Sequence, residues 1–318
     1  MKQIFFSVIV TTKNEEKNIE KCLLSIKNQN FTNFEIIVVD NYSEDKTEEI
    51  SKKYTEEFYK VGPERSAQRN FGMATKAEGL YVMYIDADMI LAPTLLDAAS
   101  KYLSKYRDLS GLYISERILG SGYWSKVRNF ERSFYDGTVI DACRIYKKID
   151  FVSAGGFDEE LFKFGSGEDW DLDKAVKKHG RLQILPYHKI KTSNFSWPLE
   201  QFIRSNYDEY TQGENCIYHN ESVFNITKYI KKKYYYTSAF DAYILKWGSM
   251  DEDIKKQFGI KYRFFIVFIE NGKWLKLIKY PHHAVGMYSL RFLVGLAYIV
   301  RLTIEKFSKK NINNKPIL

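Results

Sequence analysis

Two carboxylates one residue apart, Asp86 and Asp88, close the apolar run Leu80-Tyr81-Val82-Met83-Tyr84-Ile85. Hard oxygen ligands at that spacing suit a divalent cation, and a cation there suits a phosphorylated substrate. A short apolar run of this kind reads as a buried strand. In an open α/β sheet ligands bind at the carboxyl edge of the strands, which is where the two acids fall. A pair of solvated loop acids is the plain alternative for an isolated Asp-x-Asp, so the elements around it must decide.

Those elements alternate. Residues 4–12 read as a strand ending in Thr11-Thr12-Lys13-Asn14-Glu15, and Asn14 to Gln29 as an amphipathic helix with Ile19, Cys22, Leu23 and Ile26 on its inner face. Glu35 to Asp40 is a second buried strand; Ser43 follows as a helix N-cap, with Glu44 and Asp45 in the first turn. Glu57–Val61 is a weaker strand, Ser66–Lys76 a helix, Leu80–Ile85 the fourth strand, and Pro93 opens a helix to about Tyr106. Gly111–Ser115 returns as a strand. Such alternation predicts an α/β fold with a mostly parallel sheet covered on both faces. Further on, Tyr123–Phe134 is helical, Ala142–Tyr146 extended, Gly155-Gly156 a break, Asp169–Lys178 a helix, and Leu182–Leu185 a strand stopped by Pro186. Three strand ends thus carry polar groups in series, and a nucleotide could lie across them. Asp40 could bond base or ribose, with Asn14 and Glu15 facing the same moiety and Asp86/Asp88 holding a metal on the diphosphate. Each also has a local reading: Thr11 to Asn14 as a turn, and Asp40 with Ser43 as an Asx-type cap.

The segments Ser7–Glu16, Val38–Thr47, Arg65–Gly72, Asp86-Ala87-Asp88, Gly155–Glu159 and Gly167–Leu172, in that order, resemble the family 2 glycosyltransferases with the GT-A fold. The resemblance covers about the first 200 residues and leaves the tail uncovered. It implies inverting transfer by a hexosyl- or N-acetylhexosaminyltransferase, from a UDP- or GDP-sugar to an acceptor hydroxyl. In those terms Thr12, Asn14, Glu15, Asp40 and Ser43 hold the nucleoside, and Arg69 approaches the diphosphate. Asp88, with Asp86, binds Mn²⁺ or Mg²⁺. Asp169 of the Glu168-Asp169 pair is the base, Glu168 orienting the acceptor or positioning Asp169; both acids also suit a helix N-terminus electrostatically. Gly165 and Gly167 let this loop come close to a ligand. His188 falls where relatives carry a histidine that reaches the metal or diphosphate. Arg144 and Trp170 are acceptor-side or structural, and His282-His283 a loop or headgroup contact.

Three other readings compete. A haloacid-dehalogenase-like phosphatase would use Asp86 as nucleophile, but expects Thr or Val where Ile90 stands and leaves Asp40 and Arg69 without work. A non-catalytic glycan- or membrane-binding adaptor needs neither metal nor base. A sugar nucleotidyltransferase would want a glycine-rich loop, and Thr11–Glu16 has no glycine.

Charge divides the chain. Residues 216–318 hold 18 Lys and Arg against 7 Asp and Glu, while residues 1–215 hold 30 against 33, so the net +8 belongs to the tail. This sets a division into a GT-A domain over 1–215 and a basic, mainly helical region over 216–318. Cys22, Cys143 and Cys216 form no Cys-x-x-Cys, so no zinc site or disulfide framework is implied. The N-terminus runs straight into a strand without a leader, which predicts a cytoplasmic protein. Within the tail, Tyr229–Trp247 carries Lys and Tyr blocks, and Ala284–Val300 has Arg291 as its one charge. A mid-helix arginine costs about 3 kcal/mol in a membrane, which disfavours crossing. Lys273, Lys276 and Lys279 before it, Arg301, Lys306, Lys309 and Lys310 after it, and Trp274, Tyr280 and Tyr288 suit a helix lying in an anionic membrane surface. On such a helix Arg291, Tyr298 and Glu305 share one stripe. The alternative is a helix packed on the catalytic domain or on a dimer partner. The apolar content disfavours nucleic acid. Membrane attachment points in turn to a lipid-linked acceptor, such as a polyprenyl phosphate.

Overall fold

The computed structural model describes residues 3–163, 167–188, 197–211, 213–221, 224–236 and 240–296. Gly165 and the tail positions Tyr298, Arg301, Glu305, Lys306, Lys309 and Lys310 lie outside the described residues.

Seven strands build the main sheet in the order β3-β2-β1-β4-β8-β6-β9. They are β1 (Phe6–Thr12), β2 (Phe34–Asp40), β3 (Phe58–Lys60), β4 (Tyr81–Asp86), β6 (Leu109–Tyr113), β8 (Cys143–Lys147) and β9 (Arg181–Ile184). Pairing is parallel except for β8, which runs antiparallel to β4 and β6. This is the α/β class read from the alternation, and the mostly parallel sheet is flanked by helices. A smaller sheet joins β5 (Met89–Leu91), β10 (Ile217–Asn220) and β7 (Glu116–Leu119), with β10 in the middle.

Strand alternation sorts the core into two layers. Phe6, Val8 and Val10 of β1, Ile36 and Val38 of β2, and Met83 and Ile85 of β4 face one side. There they meet Ile19, Cys22, Leu23 and Ile26 of α1 (Ile19–Lys27) and the apolar stripe of α4 (Leu95–Lys105). Ile9, Ile37, Val39, Val82 and Tyr84 face the other side, against Met73, Phe157 and α7 (Glu168–Val176). Between β3 and β4, α3 (Arg65–Asn70) continues into a π turn, Phe71–Lys76. Gly72 allows this turn to lie on β1, because a Cβ there would stand 2.6 Å from Ile9 Cγ2.

Three features depart from the sequence reading. Helix α1 begins at Ile19 rather than Asn14, whose positive φ of 53° places it in a turn. Ser43 is not an N-cap: α2 (Thr47–Ser51) starts later, and the Ser43 hydroxyl turns back to Asp40. The three short strands of the small sheet are too brief to show an alternating pattern, and one of them, β10, comes from beyond residue 215 yet pairs with β5 and β7.

Further helices are α5 (Tyr123–Arg132), α6 (Lys148–Ser153), α8 (Glu200–Asn206), α9 (Ile226–Tyr236), α10 (Phe240–Trp247), α11 (Glu252–Phe258), α12 (Val267–Ile269), α13 (Trp274–Lys279) and α14 over 281–296. The apolar face of α5 and the turn after it, Val127, Phe130 and Phe134, is covered by Tyr262, Val267, Phe268, Met287 and Leu290. Arg291 points into this contact. Its Nη2 stands 3.0 Å from Glu131 Oε1, and it also donates to Tyr135 and to the Arg263 carbonyl. Among the described residues no helix is long and apolar enough to cross a membrane.

The close approach at Gly72 yields a stability prediction. Gly72→Val forces a branched side chain onto the stiff Ile9 and lowers unfolding free energy by more than about 2 kcal/mol. Urea denaturation measures it, and an unchanged midpoint would remove the packing argument.

Candidate active site

Three parallel strands end level. In the register, Thr11 pairs with Asp86 and Thr12 with Asp40, so the polar ends of β2, β1 and β4 share one edge. Buried Asp40 accepts from the Ser43 backbone N–H at 2.7 Å and from its hydroxyl. The Asn14 N–H donates to Ser43 Oγ at 2.8 Å, and Asn14 Oδ1 accepts from the Glu44 N–H at 2.9 Å. The Glu15 N–H donates to Thr47 Oγ1 at 2.8 Å. These residues therefore lock two loops to each other, and Ser43 serves Asp40 and Asn14 rather than a helix. Thr12 Oγ1 is buried among them without a hydrogen-bond partner. The Glu15 carboxylate takes the Asn18 amide at 2.8 Å. Burial raises its pKa, the Asn18 bond lowers it, and the charges of Asp88, Asp45 and Asp86 raise it further, so Glu15 sits in the same field as the Asp-x-Asp pair.

Arg69 is the hinge of the site. It is 2% exposed, and its guanidinium reaches Asp86 Oδ1 at 3.1 Å, Asp169 Oδ1 at 3.2 Å and Glu168 Oε1 at 3.4 Å. It lies over the Tyr84 ring at 4.2 Å and the Phe157 ring at 5.2 Å. Phe157 is set by the glycine pair before it. Gly156, at φ 70°, allows Asn70 to clamp the loop through Phe157 N–H to Oδ1 at 2.8 Å and Nδ2 to Phe157 carbonyl at 2.9 Å. Burial pushes the Asp86 carboxyl up, but Arg69, Arg144 and Arg65 together hold it well below the usual carboxylate range. Thr11 adds a hydroxyl at 3.2 Å. Glu168 moves the other way: burial and the neighbouring Asp169 raise its pKa against the pull of Arg65 and Arg69. Arg65 meets it at 2.6 Å. Tyr84 donates to Asp169 Oδ1 at 2.6 Å.

Asp88 stands on the turn into β5. Its Oδ2 lies 3.2 Å from His219 Nε2, its carbonyl accepts from the Asn220 N–H at 2.9 Å, and its Oδ1 is buried without a partner. Among the described residues the histidine that meets this carboxylate is His219, not His188. His188 is exposed, and its backbone N–H donates to Asn215 at 2.7 Å. No three His, Cys, Asp or Glu side chains converge as a metal-holding group among the described residues.

The structure thus brings together Thr12, Asn14, Glu15, Asp40, Ser43, Asp86, Asp88, Arg69, Glu168 and Asp169; among the described contacts His188 has only its backbone N–H bond to Asn215. The structure adds Tyr84, Arg65 and His219. Tyr84 was accessible in principle, since it lies two residues before Asp86 and so shares its strand face. Arg65 lies one helical turn before Arg69. No local signal marks His219, 131 residues from Asp88. Arg144 pairs with Glu116 at 2.7 Å beneath Tyr84, while Trp170 stacks on Phe240 in a helix contact. The His282 carbonyl accepts from Tyr123 while its side chain is exposed, and the His283 ring stacks on Tyr280.

A family model described as glycosyl transferase family 2 matches residues 7–157. An uncharacterized glycosyltransferase of Haemophilus influenzae is 30% identical over 63% of this chain and 72% of its own length. Glycosyltransferase GlyA of Streptococcus pneumoniae is 29% identical over 54% of this chain but only 27% of its own length. The chain spans less than half the length of the first relatives it matches. A solved structure of the mannosyltransferase PcManGT from Pyrobaculum calidifontis, in complex with GDP-Man and Mn²⁺, superposes with a TM-score of 0.54. That match covers 93% of this chain and 80% of the other at 17% identity, a likeness of fold alone.

The Asp88–His219 contact sets a pH dependence. Burial would lower the imidazole pKa, but the charge and hydrogen bond of Asp88, with Glu116 and Glu221, raise it from 6.5 to about 9. A raised folded-state pKa means that the contact contributes fully below pH 6.5 and is lost as pH rises through about 9. The contribution is at most about 3 kcal/mol. In metal-free protein with EDTA, the urea midpoint should fall over this range relative to His219→Gln. Parallel curves for the two proteins would contradict the contact.

Proposed function

The chain belongs to the family 2 glycosyltransferases, and from that premise we propose that it transfers a sugar, with inversion, from a UDP- or GDP-sugar to an acceptor hydroxyl. The observation that carries this reading is the placement of two carboxylate stations on either side of one buried guanidinium, Asp86 toward the Asp-x-Asp edge and Asp169 opposite. A phosphatase would need a free nucleophilic Asp86. Here its Oδ1 is taken by Thr11 and Arg69, and the family replaces that reading.

A divalent cation fits the residues present. The buried, unbonded Oδ1 of Asp88 and the mutual repulsion of Asp86 and Asp88 with Glu15, whose pKa burial and these charges raise, suit a cation there. Mg²⁺ and Mn²⁺ need only one or two carboxylates, with phosphate oxygens and water completing the shell, so a third protein ligand is not required. Asp86 and Asp88 would hold it, with the His219 imidazole beside Asp88. A cation bound there offsets charge on the leaving diphosphate.

The remaining work falls to the chain. Thr12, Asn14, Glu15, Asp40 and Ser43 form the rigid ledge on which the nucleoside rests. Arg69, being enclosed, acts by keeping Asp86 ionised and by holding Asp169 in place rather than by touching the diphosphate. Asp169 is the base. Its side chain is 25% exposed against 2% for Glu168, and with Oδ1 held by Tyr84 and Arg69 its other oxygen is the one to take the acceptor's proton. Glu168 anchors Arg65 and Arg69 beneath it. The acceptor in this reading is a glycan or lipid-linked glycan, met at the cytoplasmic face of a membrane that the basic C-terminal region touches. The excess of Lys and Arg in that region supports the placement.

Hydrolysis of UDP- and GDP-sugars, with Mn²⁺ or Mg²⁺ added, tests the enzyme reading without an acceptor. One donor class should be cleaved slowly in a metal-dependent way. Asp88→Ala should abolish cleavage, and Asp169→Asn should lower turnover by about 10² to 10⁴ with donor KM within about threefold. Donor binding without cleavage of any sugar would reduce the protein to an adaptor.

A further inference from the structure

Three segments cover α5 from outside: the π turn Tyr262–Ile266, α13 and α14. Their inward side chains fill the core described above. Their outward ones are not polar. Phe265, Leu275, Ile278, Val285 and Phe292 each leave more than half of their surface exposed. On α14, Ala284, Val285, Tyr288, Ser289, Phe292 and Leu293 line one open groove, the stripe opposite buried Met287 and Leu290. Single exposed apolar residues are ordinary, but a contiguous stripe marks an interface.

Charge says what the interface meets. Residues 255–296 hold eight Lys and Arg and a single acid, Glu270. That acid is engaged inside the fold, accepting from the Tyr262 hydroxyl at 3.0 Å. Lys273 and Lys276 bend inward to the carbonyls of Phe134 and Ser133 at 2.7 and 3.0 Å, and Arg291 to Glu131. What remains outward is apolar surface, half-exposed Trp274, and the exposed cations Lys261 and Lys279, with exposed Lys255 and Lys256 on the preceding α11. Apolar side chains flanked by cations, with the one acid withdrawn, complement an anionic lipid surface.

We propose that the outer face of these three segments is the membrane contact, inserted to side-chain depth, with α14 clamped to α5 by Arg291 instead of floating free in the bilayer plane. The inference rests on the membrane placement proposed above and narrows it to a rigid surface of the folded domain. It also gives that surface a fixed relation to the site. Helix α5 binds α14 through Tyr123 to the His282 carbonyl at 2.7 Å, and binds β7 through Asn129 to the Ile118 N–H at 3.0 Å. Strand β7 pairs with β10, which carries His219 to Asp88. An acceptor whose lipid stays in the bilayer would present its head group beside this wall.

Truncation would uncover Val127 and Phe130, so the test uses outward substitutions in the full chain. The parent is sedimented with vesicles of about 30% phosphatidylglycerol in phosphatidylcholine, and with phosphatidylcholine alone, at about 0.15 M salt. Partition should be at least about tenfold greater on the anionic vesicles. The double variant Ile278→Glu, Phe292→Glu should lower it at least about tenfold, with unfolding midpoint and donor hydrolysis unchanged. Equal partition of parent and variant, or none by the parent, overturns the proposal. So does a doubled mass in sedimentation velocity that the same variant abolishes, since a second copy would then be the occupant. A parent that binds vesicles but cleaves no donor supports this inference while overturning the catalytic reading.

Discussion

The site depends on one guanidinium taken out of water among carboxylates that the chain supplies from far apart. An arginine 2% exposed is tolerable only if its charge is met nearby. Asp86 meets it from the end of β4, and Glu168 and Asp169 meet it from the start of α7, 100 residues along from Arg69 in the last case. Each partner constrains the others. Asp86 stays ionised because the arginines surround it, and Glu168 is pushed toward protonation by its burial and by the charge of the neighbouring Asp169. The electrostatics of both stations are therefore set before any ligand arrives, which is the preorganisation that charge-stabilising catalysis requires.

Beneath Tyr84 a second ionic layer continues the pattern. Glu116 takes Arg132 and Arg144, each at 2.7 Å, and Arg132 also takes Asp141 at 2.7 Å. Burial pushes Asp141 up to about 6 against the pull of Arg132, with Asp136 adding to the rise. Buried pairs of this kind give little net stability, since desolvation offsets attraction, but their fixed geometry aligns the elements that hold them. Here the layer ties β7 to α5 and β8, the same wall on which α13 and α14 rest. The arrangement joins the catalytic edge, the small sheet and the outer helices through charges whose misplacement would be expensive.

Much of this could be read from the chain. The strands β1, β2 and β4 announce themselves as Val- and Ile-rich runs, and their acid ends follow directly, because a parallel strand buried on both faces must expose its polar residues at its tip. Helices α5 and α7 were legible from apolar spacing and from the acids at the α7 start. The same local rules failed where a residue's partner lies elsewhere. Ser43 reads as an N-cap by type, yet the level ending of β1 and β2 offers it Asp40 and Asn14 instead. Arg291 reads as the one polar break in an apolar helix, yet Glu131 and Tyr135 turn it inward.

By itself the sequence determined the layer architecture and the three polar strand tips, since periodicity and residue type are local properties of the chain; the second carboxylate station, Glu168-Asp169, came from the family resemblance. Only the tertiary structure decided that Arg69 is enclosed between those stations and not turned to a ligand, that His219 and not His188 stands against Asp88, and that the basic tail presents a docked apolar face. These are choices among partners separated by 17 to 159 residues. They depend on strand order and helix docking, which no single window of sequence contains.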